Sequence, residues 1–156
     1  MDRHRLIIAG AGLALILAMG TTVAAASRGG QTIAVVEHAD TDIVVDLGDP
    51  GDSLGDMLPF GNPIFDAADR HQIGRDEGLC FRTLVDGALT GWECTWTTLL
   101  ADGSITVQGP FPDSLEDSTL AITGGTGRYR NARGEMTLHA RNELGTAFDF
   151  VFHVIG

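Results

Sequence analysis

The sequence predicts an all-β protein, a single domain built as an antiparallel barrel or sandwich. Three observations lead there. Short runs that alternate apolar and polar residues recur about 8–12 residues apart, the spacing of sequential antiparallel strands. Beyond the first 26 residues no run carries the period of an amphipathic helix. Glycine is abundant, at 21 of 156 residues, and proline scarce, at 5, which suits strands joined by tight turns.

The chain opens with Arg3, His4 and Arg5, followed by an uninterrupted apolar and small-residue run from Leu6 to Gly20. Thr21 and Thr22 lead into Val23-Ala24-Ala25-Ala26-Ser27. A basic start, an apolar stretch and a small-residue cleavage site form the layout of a secretory signal peptide. Residues 1–26 are therefore read as the signal and 27–156 as the mature, secreted domain. An uncleaved anchor is the other reading, although the run is short of the roughly 20 residues a span needs.

The strand candidates follow in order. Gln31–His38 places Ile33, Val35 and Glu37 on one face. Ile43-Val44-Val45 is a short apolar run within the acidic segment from Asp40 to Asp56. Leu54–Phe60 is a strand candidate that ends at Gly61-Asn62-Pro63, and His71–Val85 is a long one paired with Gly91–Leu100. Asp102-Gly103 turns the chain into Ile105-Thr106-Val107. Ser118–Thr123 runs into the Gly124–Gly127 loop. Glu135–Arg141 alternates cleanly, with Met136, Leu138 and Ala140 on one side. Thr146–Ile155 does the same with Phe148, Phe150, Phe152 and Val154.

The two cysteines of the mature chain, Cys80 and Cys94, flank Asp86-Gly87. A hairpin turning on Gly87, midway between them, sets the two thiols opposite each other. Export to an oxidising compartment favours pairing them as a disulfide. Two buried thiols acting as small apolar residues are the alternative.

Charge and motif chemistry exclude several functions. The net charge is −11 and all ten cations are arginine, so the chain lacks the basic face that nucleic acid or an anionic membrane surface requires. His38, His71, His139 and His153 have no metal-ligand spacing, and no metal or other cofactor is expected. There is no G-x-S-x-G elbow. No lysine follows Gly124-Gly125-Thr126-Gly127, which reads as an interstrand turn rather than a phosphate cradle.

Four stretches carry a family resemblance: residues 54–62 (LGDMLPFGN), 78–80 (GLC), 105–111 (ITVQGPF) and 116–125 (EDSTLAITGG). In order and spacing they resemble the plant allene oxide cyclases. Residues 124–134, GGTGRYRNARG, are similar to the glycine-rich stretch of the related dirigent proteins. The resemblance covers roughly residues 33–155. It implies an eight-stranded antiparallel barrel with an apolar interior cavity, trimeric as in plant members. Those cyclases close an unstable fatty-acid allene epoxide into a cyclopentenone, and dirigent proteins hold reactive phenolic intermediates for stereoselective coupling. Both tasks confine a reactive, largely apolar molecule in one conformation.

Carried over residue by residue, the resemblance makes Glu37 the cavity glutamate. Asn62 becomes the asparagine that holds a water near the epoxide oxygen, and Cys80 the cavity cysteine. These three are the candidate catalytic residues. A second asparagine of the cyclases falls on Ala39, and their Ser-Pro pair on Val45 and Asp46. The plant reaction itself is therefore not expected. Taken alone, Glu37 also reads as an edge-strand surface charge and Asn62 as a turn residue before Pro63. Trp96 is the candidate ligand-binding residue; it and Trp92 either line a cavity or fill the barrel. Arg128, Arg130 and Arg133 read as a surface cluster forming weak ion pairs.

The expected function is a secreted, cofactor-free cyclase, isomerase or dirigent-like template for a small apolar molecule. The alternative is a non-catalytic, lipocalin-like carrier. No nucleic-acid partner is expected, and no membrane contact after signal cleavage.

Overall fold

The computed structural model describes residues 29–155. The expected signal, residues 1–26, lies outside them. The strands are β1 (Gln31–His38), β2 (Met57–Phe60), β3 (Pro63–Asp66), β4 (Gln72–Asp86), β5 (Leu89–Leu100), β6 (Gly103–Pro112), β7 (Ser118–Gly125), β8 (Arg133–Ala140) and β9 (Ala147–Ile155). A 3-10 turn, Gly127–Tyr129, precedes β8. Neighbours around the sheet run β4, β3, β1, β9, β8, β7, β6, β5, and β5 pairs back onto β4, giving a ring of eight antiparallel strands. The ninth, β2, shares one edge of β4 with β3. It pairs with residues 78–81, while β3 takes 72–75.

Strand alternation sends one parity of each strand inward. From β9 come Phe148, Phe150, Phe152 and Val154, and from β8 Met136 and Leu138. β7 adds Leu120 and Ile122, β6 Ile105 and Val107, and β5 Trp92, Cys94 and Trp96. All are buried. Edge-to-face contacts join Phe150 to Phe152 and Phe111 to Phe148.

The β4–β5 hairpin has the expected register, with Cys80 opposite Cys94 and a disulfide between them. A bulge after Arg82 then shifts the pairing by one residue. Asp86 faces Leu89, and the loop is Gly87-Ala88 with Gly87 at φ 61°.

Three expectations change. Gly61-Asn62-Pro63 does not end the strand region but separates β2 from β3. Proline is tolerated at the first position of a strand because it needs no donor there. Ile43-Val44-Val45 is not a strand and makes one bridge, Val45 to Met57. Aspartate, glycine and proline on its C-terminal side favour turns, and Gly48, Gly51 and Gly55 all have positive φ. For the same reason β2 begins at Met57 rather than Leu54. The third change lengthens β6 and β7 beyond the runs read from sequence, and β7 takes in Gly124 and Gly125.

The segment 39–56, between β1 and β2, therefore lies as a long connection along the side of the ring. Arg82 pins it. This buried guanidinium reaches Asp52 at 2.9 Å and Asp113 at 2.6 Å and stacks 3.9 Å above the Trp92 ring. Trp92 Nε1 donates to the same Asp113 at 2.6 Å.

Candidate functional site

Glu37 stands one residue from the C-terminal end of β1, on the inward parity with Val35 and Ile33. Its pairing partners are Phe148 on β9 and Ile64 on β3, and it is only 5 % exposed. The edge-strand surface reading of Glu37 is thereby excluded. A carboxylate placed there needs donors, and the β2–β3 junction supplies one. Asn62 Nδ2 donates to Glu37 Oε1 at 2.7 Å and to Asp42 Oδ1 at 2.7 Å. Asn62 Oδ1 accepts from the backbone N–H and the hydroxyl of Thr41, each at 3.0 Å. The Asn62 main chain donates to Asp76 Oδ1 at 3.0 Å, and its carbonyl accepts from Asp76 N at 2.9 Å.

Asp76, fully buried on the inward face of β4, is the nearest further carboxyl to Glu37 to act on its charge, and its Oδ2 has no hydrogen-bond partner among the described residues. Burial is the main reason that Glu37 holds its proton well above the ordinary carboxyl range, with the charges of Asp76 and Asp42 adding to it. Burial likewise pushes Asp76 up to about 7. Asp42, at the rim, is raised by desolvation against the opposing effect of the Asn62 bond.

The cluster opens on a pocket lined on its polar side by Glu37 and Asp42. The remaining wall is apolar: Phe60 and Leu58 of β2, the Cys80–Cys94 disulfide, Trp96, Phe111, Leu138, Phe148 and Phe150. Trp96 packs edge-on to Phe60, with centroids 6.0 Å apart, and against Phe150 at 5.4 Å. Gly78 makes this possible: it pairs with both Phe60 and Trp96, and a Cβ there would collide with Trp96 Cβ and Phe60 Cζ. The pocket holds about 30 Å³ and is open on one side, room for a water or two.

Of the residues singled out from sequence, Glu37, Cys80 and Trp96 line this pocket, and Asn62 lies behind it. The thiol expected of Cys80 is absent, because the sulfur is bonded to Cys94 and presents only an apolar wall. The Asn62 amide is engaged by protein groups. An amide has two N–H donors, and both are spent on Glu37 and Asp42. Trp96 lines the pocket, whereas Trp92 fills the barrel beneath Arg82. Arg128 lies on the surface, 3.7 Å from Asp102. Asp76 and Asp42 were not anticipated. Asp76 shares the parity of Cys80 on β4, so a carboxylate on a core-facing position was there to be read. Asp42 sits in the irregular segment, where no period marks it.

Residues 18–149 match the family described as the allene oxide cyclase barrel like domain. Among solved structures, a pyocyanin demethylase is 32 % identical over 78 % of this chain and 100 % of its own, with a TM-score of 0.68. The pterocarpan synthase dirigent protein GePTS1 is 18 % identical, covering 81 % of this chain and 91 % of its own, at TM-score 0.62. The Diels Alderase AbmU from Streptomyces koyangensis is 19 % identical, covering 85 % and 72 %, at TM-score 0.65. The last two likenesses are of fold.

Proposed function

The chain belongs to the allene oxide cyclase barrel like family, and from that premise we propose that it is an exported, cofactor-free acid–base template for a small, largely apolar molecule. The observation that carries this is the buried Glu37 carboxyl, held by Asn62 Nδ2 with Asp76 behind it, on the polar side of an aromatic-walled pocket; burial favours its protonated form. A neutral carboxylic acid in an apolar site can donate a proton at neutral pH. Glu37 gives its proton to one atom of the ligand, and the Glu37–Asp76 pair takes one back from another. The net change is an isomerisation or ring closure, with no proton gained or lost. The aromatic wall fixes the conformation in which this occurs.

The relatives' names support a small-molecule role, since they include a demethylase, a pterocarpan synthase and a Diels Alderase. A ligand larger than the present pocket enters by displacing segment 39–56, which supplies Asp42 at the rim. A lipocalin-like carrier is the second reading, favoured by the excess of apolar over polar lining. Export by cleavage after Ala26 and trimeric assembly belong to the same proposal.

Glu37→Gln separates the two readings. It keeps the side-chain shape and removes the proton. An acid–base template loses turnover of its ligand and keeps binding, whereas a carrier loses neither. Retention of full turnover by Glu37→Gln would remove Glu37 from the chemistry. Intact mass of protein from the medium tests export, with Ser27 the expected first residue.

A further inference from the structure

We infer that the pocket selects, among apolar ligands, those carrying a delocalised positive charge, and that it rejects anions. This rests on the reading of the pocket as a ligand site and names the ligand's charge class.

Two independent observations meet in the pocket. The first is uncompensated acidity. β1 contributes Glu37, segment 39–56 contributes Asp42 and β4 contributes Asp76. Around them β3 and β9 place Ile64 and Phe148 as pairing partners of Glu37, and β5 places Thr98 opposite Asp76. Among the described residues the charges acting on Glu37 are those of Asp76 and Asp42, both of its own sign. The buried arginine of the barrel, Arg82, is bound to Asp52 and Asp113.

The second observation is the aromatic surface set against these carboxyls. Trp96 is 4 % exposed and lines the pocket, and its Nε1–H is buried without a hydrogen-bond partner among the described residues. Trp92, by contrast, spends its indole N–H on Asp113. Phe60, Phe148 and Phe150 complete the wall. Aromatic faces attract cations, and carboxyls in a low dielectric attract them more strongly once ionised. A ligand with a spread positive charge satisfies the carboxyls and the aromatic faces together. An anion meets like charge on one side and aromatic faces on the other.

A bound cation favours the ionised form of the cluster, so binding releases a proton and tightens as pH rises. Three single-ring probes of similar size test this: N-methylpyridinium, toluene and benzoate. Each is titrated into the mature protein at about pH 5.5 and about pH 8, which bracket the Asp76 transition. The Trp96 indole N–H resonance is the readout and that of Trp92 the control. We expect N-methylpyridinium to bind more tightly at the higher pH by on the order of tenfold, and toluene to change by less than about twofold. Benzoate should bind most weakly at the higher pH. Asp42→Asn, at the solvent-facing rim, should flatten the rise for the cation. Toluene binding alongside a pH-independent or absent cation response overturns the inference and leaves the ligand site standing. So does benzoate matching the cation at the higher pH. Failure of all three to perturb Trp96 overturns both the site and the inference.

Discussion

Asn62 Nδ2 donates to Glu37 Oε1 at 2.7 Å, across 25 residues of sequence, and this one bond ties the end of β1 to the β2–β3 junction. Because the same amide also engages Asp42 and Thr41, Asn62 is the post on which the polar side of the pocket is hung. Its bonds position the Glu37 and Asp42 carboxyls.

Asn62→Ala should therefore leave two carboxyls without their donor and Thr41 without its acceptor. The expected loss is about 1.5–3 kcal/mol, the range for a hydrogen bond to a charged group, read from urea denaturation. Asn62→Asp adds a further carboxyl at nearly constant shape. It should destabilise more at alkaline than at acid pH, and an equal loss at both would contradict the positioning role.

The buried acids set the pH dependence of stability. In the unfolded chain a carboxyl loses its proton near about pH 4, whereas in the folded barrel Asp76 keeps it to about 7. Between these values the folded state binds more protons than the unfolded, so this contribution makes stability fall as pH rises. Glu37 extends the same trend upward. Asp56, Asp66 and Asp69 act in the opposite sense. Hydrogen bonds, chiefly from backbone N–H groups to Asp56 and Asp66 and from His38 to Asp69, lower their pKa values. Their contribution is lost as pH falls below about 4. Maximum stability should thus lie in mildly acid solution. Asp76→Asn should flatten the decline toward pH 7, as followed by thermal melts across the range.

The Cys80–Cys94 bridge closes a loop with a sequence separation of 14. On the chain-entropy account such a loop contributes about 3 kcal/mol. The Cys80→Ala/Cys94→Ala double variant should lose about that much, and reductant should lower the stability of the parent protein toward it. Peptide mapping without reductant should recover the two cysteine peptides joined. Two freely alkylated thiols in protein exported by its own host would show that the pair is reduced in its working compartment.

Most of the ring was legible because strands of period two announce themselves. The inward residues of β8 and β9, and the Cys80–Cys94 register with its turn at Gly87, follow from alternation and turn chemistry alone. What escaped was not periodic. β3 is a four-residue strand that opens on Pro63, right after Gly61-Asn62, and Gly, Asn and Pro in succession read as loop. Within the site, Glu37 and Asn62 stand out through family resemblance, whereas the bonds by which Asn62 holds Glu37 and Asp42 become visible only in the folded structure. Asp76 was hidden among 21 acidic residues, although its parity with Cys80 already placed it inside. Asp42 lies in a segment whose position depends on tertiary bonds to Asn62.

The plant family's own reaction provides the sharpest negative test. Closing an allene epoxide leaves charge on the epoxide oxygen, which needs a hydrogen-bond donor directly or through a water. Here the second asparagine of the cyclases is Ala39, a residue with no donor in its side chain. Both Asn62 N–H groups are committed to Glu37 and Asp42, and Cys80 has no thiol. Trp96 Nε1–H has no partner among the described residues, but it is buried within the wall. Loss of one such donor can cost about 2.7–4 kcal/mol in a transition state, or about two to three orders of magnitude in rate. A fatty-acid carboxylate would in addition face the like charge of Asp42. We therefore expect chiral chromatography of products from a fatty-acid allene epoxide to show the same racemic cyclopentenone with and without the protein. An enantiomeric excess that disappears in Glu37→Gln would show that the Glu37 proton suffices for the plant chemistry.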